Sequence, residues 1–147
     1  MPDKVRALVI ILLMYPSLSF AGASMSPECG ADFHQKAQDR VNRVSVVDTI
    51  IKLIDKQDYE ALAALYIKRK QIEILHGFKE LAQQHGDKLK EKVFNAVDYV
   101  FENEVIEKGI YRLHYRSQSK KNAVMSIKLQ CENGLYKIIK IDQGFVL

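Results

Sequence analysis

The sequence predicts an α+β domain in which N-terminal helices pack on one face of an antiparallel sheet. Three observations predict it. Apolar residues recur at spacings of three and four through the first half of the chain, they alternate with polar ones after Gly109, and Asn133-Gly134 closes the last two strands as a hairpin. The chain has 147 residues, 48% apolar and 27% charged, the composition of one globular unit rather than of a disordered or low-complexity polymer. Its formal charge of +4 is small and dispersed, which argues against nucleic acid as a partner.

Residues 1–23 read as a secretory signal peptide. Lys4 and Arg6 precede an apolar run from Ala7 to Tyr15, Pro16 breaks that run, and Ala21-Gly22-Ala23 supplies small residues at a cleavage site. A helix that crosses a bilayer needs about 20 apolar residues, and this run stops short of that. The expected mature domain is residues 24–147, periplasmic or secreted, with no transmembrane segment after cleavage. In an oxidising compartment Cys29 and Cys131 are expected to form a disulfide tying the start of the mature chain to its second-last strand.

The elements follow in order. Val44, Val47, Ile50, Ile51 and Ile54 form the stripe of an amphipathic helix that can begin as early as Asp32. Asp58 is a suitable N-cap for a second helix containing Leu62, Leu65 and Tyr66. Ile72 to Gln84 make a third helix that stops near Gly86. Residues 87–101 fit both periods, and are read as a helix from Asp87 that gives way to a strand near Tyr99. Tyr111, Leu113 and Tyr115 alternate with Arg112, His114 and Arg116, and the polar run Ser117 to Asn122 is a loop. A strand carrying Met125, Ile127, Leu129 and Cys131 then meets the return strand Leu135 to Ile141 across the Asn133-Gly134 turn.

That turn sets a register. Pairing Glu132 with Leu135 places Cys131 opposite Tyr136, Leu129 opposite Ile138 and Lys128 opposite Ile139. The side facing the helices then carries Met125, Ile127, Leu129, Tyr136 and Ile138, joined by Tyr111, Leu113 and Tyr115 if the longer loop keeps phase. The opposite side carries Arg112, His114, Arg116, Lys128, Lys137, Ile139 and Ile141, a basic face with an apolar centre and a candidate interaction surface.

The run Asp55-Lys56-Gln57-Asp58-Tyr59-Glu60-Ala61-Leu62, a helical middle with a glycine, and the closing Asn133-Gly134-Leu135-Tyr136-Lys137-Ile138 resemble small secreted domains of the nuclear transport factor 2-like (cystatin-like) superfamily. In that group the last hairpin commonly runs turn Gly, one residue, aromatic, Lys and Ile; here Tyr136 stands where Trp is more usual. The resemblance implies a sheet curved into a cone around a few helices, sometimes with an interior pocket. The superfamily spans isomerases, dehydratases, transport factors and non-catalytic envelope modules, so the resemblance alone implies no activity. Its isomerases and cyclases resemble one another in an Asp or His inside the cone, which makes Asp98, Tyr59, Tyr66, Tyr99 and Tyr111 the pocket candidates here.

Catalytic signatures are thin. The sequence has no CxxC, HExxH, GxSxG or glycine-rich phosphate loop, and its four histidines are scattered. No metal and no cofactor is expected. His114 alternates with Leu113 and Tyr115 and should point away from a pocket. The leading expectation is a non-catalytic envelope module that takes a small apolar or amphipathic ligand in the cone. The alternative is an interaction protein that uses the outer sheet face to dimerise or to dock on an envelope component, and an isomerase-like or dehydratase-like enzyme ranks below both.

Overall fold

The structure, a computed structural model, describes residues 26–29 and 36–146. The expected signal peptide and the expected mature start at Ser24 lie outside these residues. Helix α1 (Lys36–Val44) and helix α2 (Val46–Asp55) run nearly as one rod. Ser45 lies between them, yet its N–H donates to the Val41 carbonyl and its own carbonyl accepts from Thr49, at 3.1 and 3.2 Å. The buried stripe is Val46, Val47, Ile50, Leu53 and Ile54, a rotation of the expected one that leaves Val44 and Ile51 half-buried at its margin.

Gln57 ends α2 in the left-handed region, with φ of 57°. The N–H groups of Gln57 and Asp58 donate back to the carbonyls of Ile54 and Leu53, both at 3.0 Å, satisfying acceptors that a helix end otherwise leaves open. Asp58 then caps helix α3 (Tyr59–Ala64) as expected, its carboxylate accepting from the Ala61 N–H at 3.1 Å. After a 3-10 turn at Lys68–Lys70, helix α4 (Gln71–His85) stops at Gly86, whose φ of 52° favours glycine. Tyr59 stacks on Phe78 and joins α4 to α3, and no side chain of α4 is fully buried. Helix α5 (Leu89–Val93) resolves the ambiguous stretch, which becomes strand at Tyr99.

Strands β1 (Tyr99–Glu107), β2 (Ile110–Ser117), β3 (Ala123–Glu132) and β4 (Leu135–Phe145) form an open antiparallel meander in that order. Two-residue turns with positive φ at both positions close β1–β2 at Lys108-Gly109 and β3–β4 at Asn133-Gly134. Helices on one face of this sheet make the α+β class that the periodicity predicts. Leu113, Tyr115, Met125, Ile127, Leu129 and Ile138 are almost fully buried against Val46, Ile50, Leu53, Leu62 and Leu65. Each buried aliphatic side chain contributes about 1.5–3 kcal/mol.

The register of β3 with β4 follows the expected pairing through Leu129 and Ile138, and then slips. A bulge at Ile139 sets Lys128 opposite Lys140, and Ile127 opposite Ile141. Directly opposed residues share a face, so Ile141 turns inward and packs half-buried against the core. This corrects the expectation that Ile141 lies on the outer face. The Lys70 ammonium donates to the carbonyl of Ile139 and holds the bulge.

The free edge of β4 is covered in two places. Cys29 N–H donates to the Gly134 carbonyl at 2.9 Å and Tyr136 N–H to the Pro27 carbonyl at 2.7 Å. Further along, Ile67 N–H donates to Ile138 and Ile138 N–H to Leu65, at 3.0 and 2.8 Å. The Cys29–Cys131 disulfide, with a Cα separation of 5.9 Å, fastens the first of these segments.

Candidate functional site

The pocket candidates do not converge. Tyr59 lies against Phe78 in the helical layer. Tyr66 is buried beside β4, and burial pushes its phenol up to about 12. Tyr99 is buried near the start of β1, with its hydroxyl 3.4 Å from the Gln143 side-chain oxygen, and burial raises its pKa too. Asp98 fastens the β2–β3 loop: its carboxylate accepts from Ser117 Oγ at 2.6 Å and from Ser119 N–H at 2.7 Å. The Ser117 hydroxyl, followed by Ser119, holds that carboxyl down at about 2. These contacts make Asp98 a clamp of the β2–β3 loop.

Tyr111 belongs to a buried polar cluster that the periodicity did not single out. The Arg43 guanidinium forms two parallel hydrogen bonds to Glu104, at 2.9 and 2.8 Å, and donates a third to the Tyr136 hydroxyl at 2.9 Å. It lies over the rings of Tyr111 and Tyr136, 4.3 and 5.0 Å from their centroids, and those rings meet edge to face. Burial works against the Arg43 charge, but Glu104 and Tyr136 together outweigh it and the pKa rises. Tyr136 is pushed up to about 12, first by burial and then by its contact with Tyr111, with Arg43 opposing. Among the described residues no buried side-chain polar atom lacks a partner, so this cluster is a closed structural network.

Glu104 faces inward because of a second bulge. Phe101 pairs with Tyr115, Glu102 is skipped, and Glu104 then pairs with the fully buried Leu113. A signal for Arg43 was present in the sequence: the buried positions Ile50, Val47 and Val46, extended back by one helical turn, land on it.

The outer face collects the remaining candidates. Asn103, His114, Ser126 and Asp142 lie in one cross-strand row, in an open trough of about 490 Å³ with Glu102 and Arg116 beside it. Arg116 is neutralised there by Glu102 at 2.7 Å and also donates to the Lys121 carbonyl at 3.1 Å. The next row is Val105, Arg112, Lys128 and Lys140. It borders a second groove of about 350 Å³ whose apolar wall is Val105, Ile110 and Ile139 and whose charged wall is Lys108, Arg112 and Lys128 against Glu107 alone. Lys140 is paired with Asp142 at 3.1 Å, whereas Arg112 and Lys128 have no ion-pair or hydrogen-bond partner among the described residues.

Lys137 does not join this row as expected. It leans over the covered edge of β4, where its ammonium donates to the Ala64 carbonyl at 2.6 Å and to Ser26 Oγ at 3.0 Å. Burial lowers its pKa, with Glu132 opposing. Lys140, absent from the expected set, takes its place through the bulge at Ile139.

Among the described residues no group of three His, Cys, Asp or Glu side chains could hold a metal ion, and no helix is long and apolar enough to cross a membrane. No family model matches the chain, and no curated protein or solved structure matches it.

Proposed function

We propose that this protein is an exported, non-catalytic envelope module that captures an anionic partner on the outer face of its sheet, at Arg112 and Lys128. The observation that carries this reading is the cation row itself. Arg112 is directly opposite Lys128, and Lys128 directly opposite Lys140, while only Lys140 has a carboxylate partner. Like charges directly opposed across strands destabilise a sheet by roughly 0.2–1 kcal/mol per pair, and a bound anion removes that penalty. The half-buried Ile110 and Ile139 give the groove an apolar floor beside the cations. The Cys29–Cys131 disulfide supports an oxidising, extracytoplasmic setting, periplasmic or secreted, as does the signal-like start of the chain.

Of the two expectations raised by the sequence, this is the outer-face one. A ligand inside a nuclear transport factor 2-like cone needs interior space, and the inner positions of β2, β3 and β4 are occupied by side chains packed on α2 and α3. A second copy fits the row poorly, because a two-fold contact sets a patch against itself and here opposes cations to cations.

The test is binding of pyrophosphate and of a labelled octaglutamate peptide, compared between wild type and the Arg112→Gln, Lys128→Gln double variant. Both positions are on the outer face and their charges oppose like charges, so the variant should keep or slightly raise its thermal midpoint and lose anion binding. Unchanged binding in the variant would remove the reading.

A further inference from the structure

The shape of the surface around the cation row narrows the class of partner. Val105 and Ile106 are adjacent in β1, close to the Lys108-Gly109 turn, and are 44% and 58% exposed. They lie on opposite faces: Val105 pairs with Arg112 on the outer face, whereas Ile106 pairs with Tyr111 on the inner one. A small anion seated in the groove would touch Val105 and leave Ile106 in water. A peptide added along the open edge of β1 would lie three strand spacings from Lys128, about 14 Å away, and four from Lys140. A medium that surrounds the hairpin tip contacts both aliphatic side chains at once, and the same approach brings Lys108, Arg112 and Lys128 to its surface.

We infer that the β1–β2 hairpin tip and the cation row form a peripheral docking face for the phosphate headgroups of an anionic phospholipid bilayer, an inference that rests on the anion-capture reading above. Aliphatic tip residues enter the headgroup region while the cations behind them meet phosphates, the division of labour that interfacial segments use. Glu107 is the one acidic residue of this groove, and it leaves the groove net positive.

The experiment is co-sedimentation of the exported protein with vesicles of phosphatidylglycerol and, separately, of phosphatidylcholine, alongside the pyrophosphate and octaglutamate titrations. Wild type should sediment with phosphatidylglycerol vesicles and not with phosphatidylcholine, and half a molar salt should weaken the association. The Arg112→Gln, Lys128→Gln variant should bind phosphatidylglycerol about 25-fold more weakly, on about fivefold per cation. Ile106→Ser should weaken vesicle binding while leaving pyrophosphate binding unchanged, an outcome that a soluble anion as the natural partner does not give. Equal binding to phosphatidylcholine overturns the inference, as does vesicle binding insensitive to Ile106→Ser. Pyrophosphate or octaglutamate binding through Arg112 and Lys128 without vesicle binding also overturns it and leaves anion capture intact. Absence of binding to phosphatidylglycerol vesicles, pyrophosphate and octaglutamate alike overturns both.

Discussion

Arg43 and Glu104 are joined by two parallel hydrogen bonds of 2.9 and 2.8 Å across 61 residues of sequence, with side chains only 6% and 4% exposed. The pair links α1 to β1 beneath the helical layer, and Tyr136 on β4 completes it. Removing one member of a buried pair strands the other charge away from water, a loss of about 3–5 kcal/mol. Glu104→Ala or Arg43→Ala should therefore lower unfolding stability in urea by that amount. Arg43→Met combined with Glu104→Leu should recover most of it, because the stranded charge is gone. A double variant as unstable as the worse single one would show that the guanidinium is needed for packing on Tyr111 and Tyr136.

How far the sequence reaches is clearest at the two bulges. Alternation on either side of Glu102 and of Ile139 is regular, so each strand reads as one continuous phase. One inserted residue then exchanges the faces of everything beyond it. Ile141 was misplaced in this way, and nothing in the sequence singled out Glu104. By contrast, the Asn133-Gly134 turn fixed the register as far as Leu129 and Ile138, Asp58 was legible as a cap, and the two cysteines had a single possible pairing. The Lys108-Gly109 turn was not read, because Lys at a positive-φ position is not a turn signature. The outward row was legible for Arg112 and Lys128. Lys137 was not, because its side chain is drawn to Ser26 and Ala64, contacts that no periodicity encodes.

The disulfide closes a loop with a sequence separation of 102 and anchors the strand that covers the edge of β4. Cys29→Ser with Cys131→Ser should lower stability by about 2–5 kcal/mol. Hydrogen exchange of the Tyr136 amide, which donates to Pro27, should rise more than that of Ile138, which is held by Leu65. Equal increases at the two amides would mean that the segments open together.

Asp98 provides a pH signature. Its folded pKa, about 2, is depressed from the ordinary 3.8. The stabilisation it provides is therefore complete above about pH 4 and is lost as pH falls through about 2. Asp98→Ala should lower the thermal midpoint at pH 7, and the gap to wild type should narrow as pH falls below about 4 and close only below about pH 2. A gap of the same size at both ends of this range would mean that the Ser117 and Ser119 contacts do not depend on the charge.

Gln57 holds a left-handed conformation that glycine adopts without a Cβ clash. Gln57→Gly should raise stability by about 1 kcal/mol in urea unfolding, since the strain removed is of that order. A loss of stability would show that the Gln57 side chain contributes more than its backbone strain costs.

Amide chemical-shift mapping of the isotopically labelled protein during a pyrophosphate titration tests the outer-face reading most directly. The predicted result is a set of saturable shifts centred on Arg112, Lys128 and Lys140 and their cross-strand neighbours, absent from the Arg112→Gln, Lys128→Gln variant. Shifts centred instead on the inward residues Tyr66, Tyr99 and Tyr111, or no saturable shift at all, would contradict it.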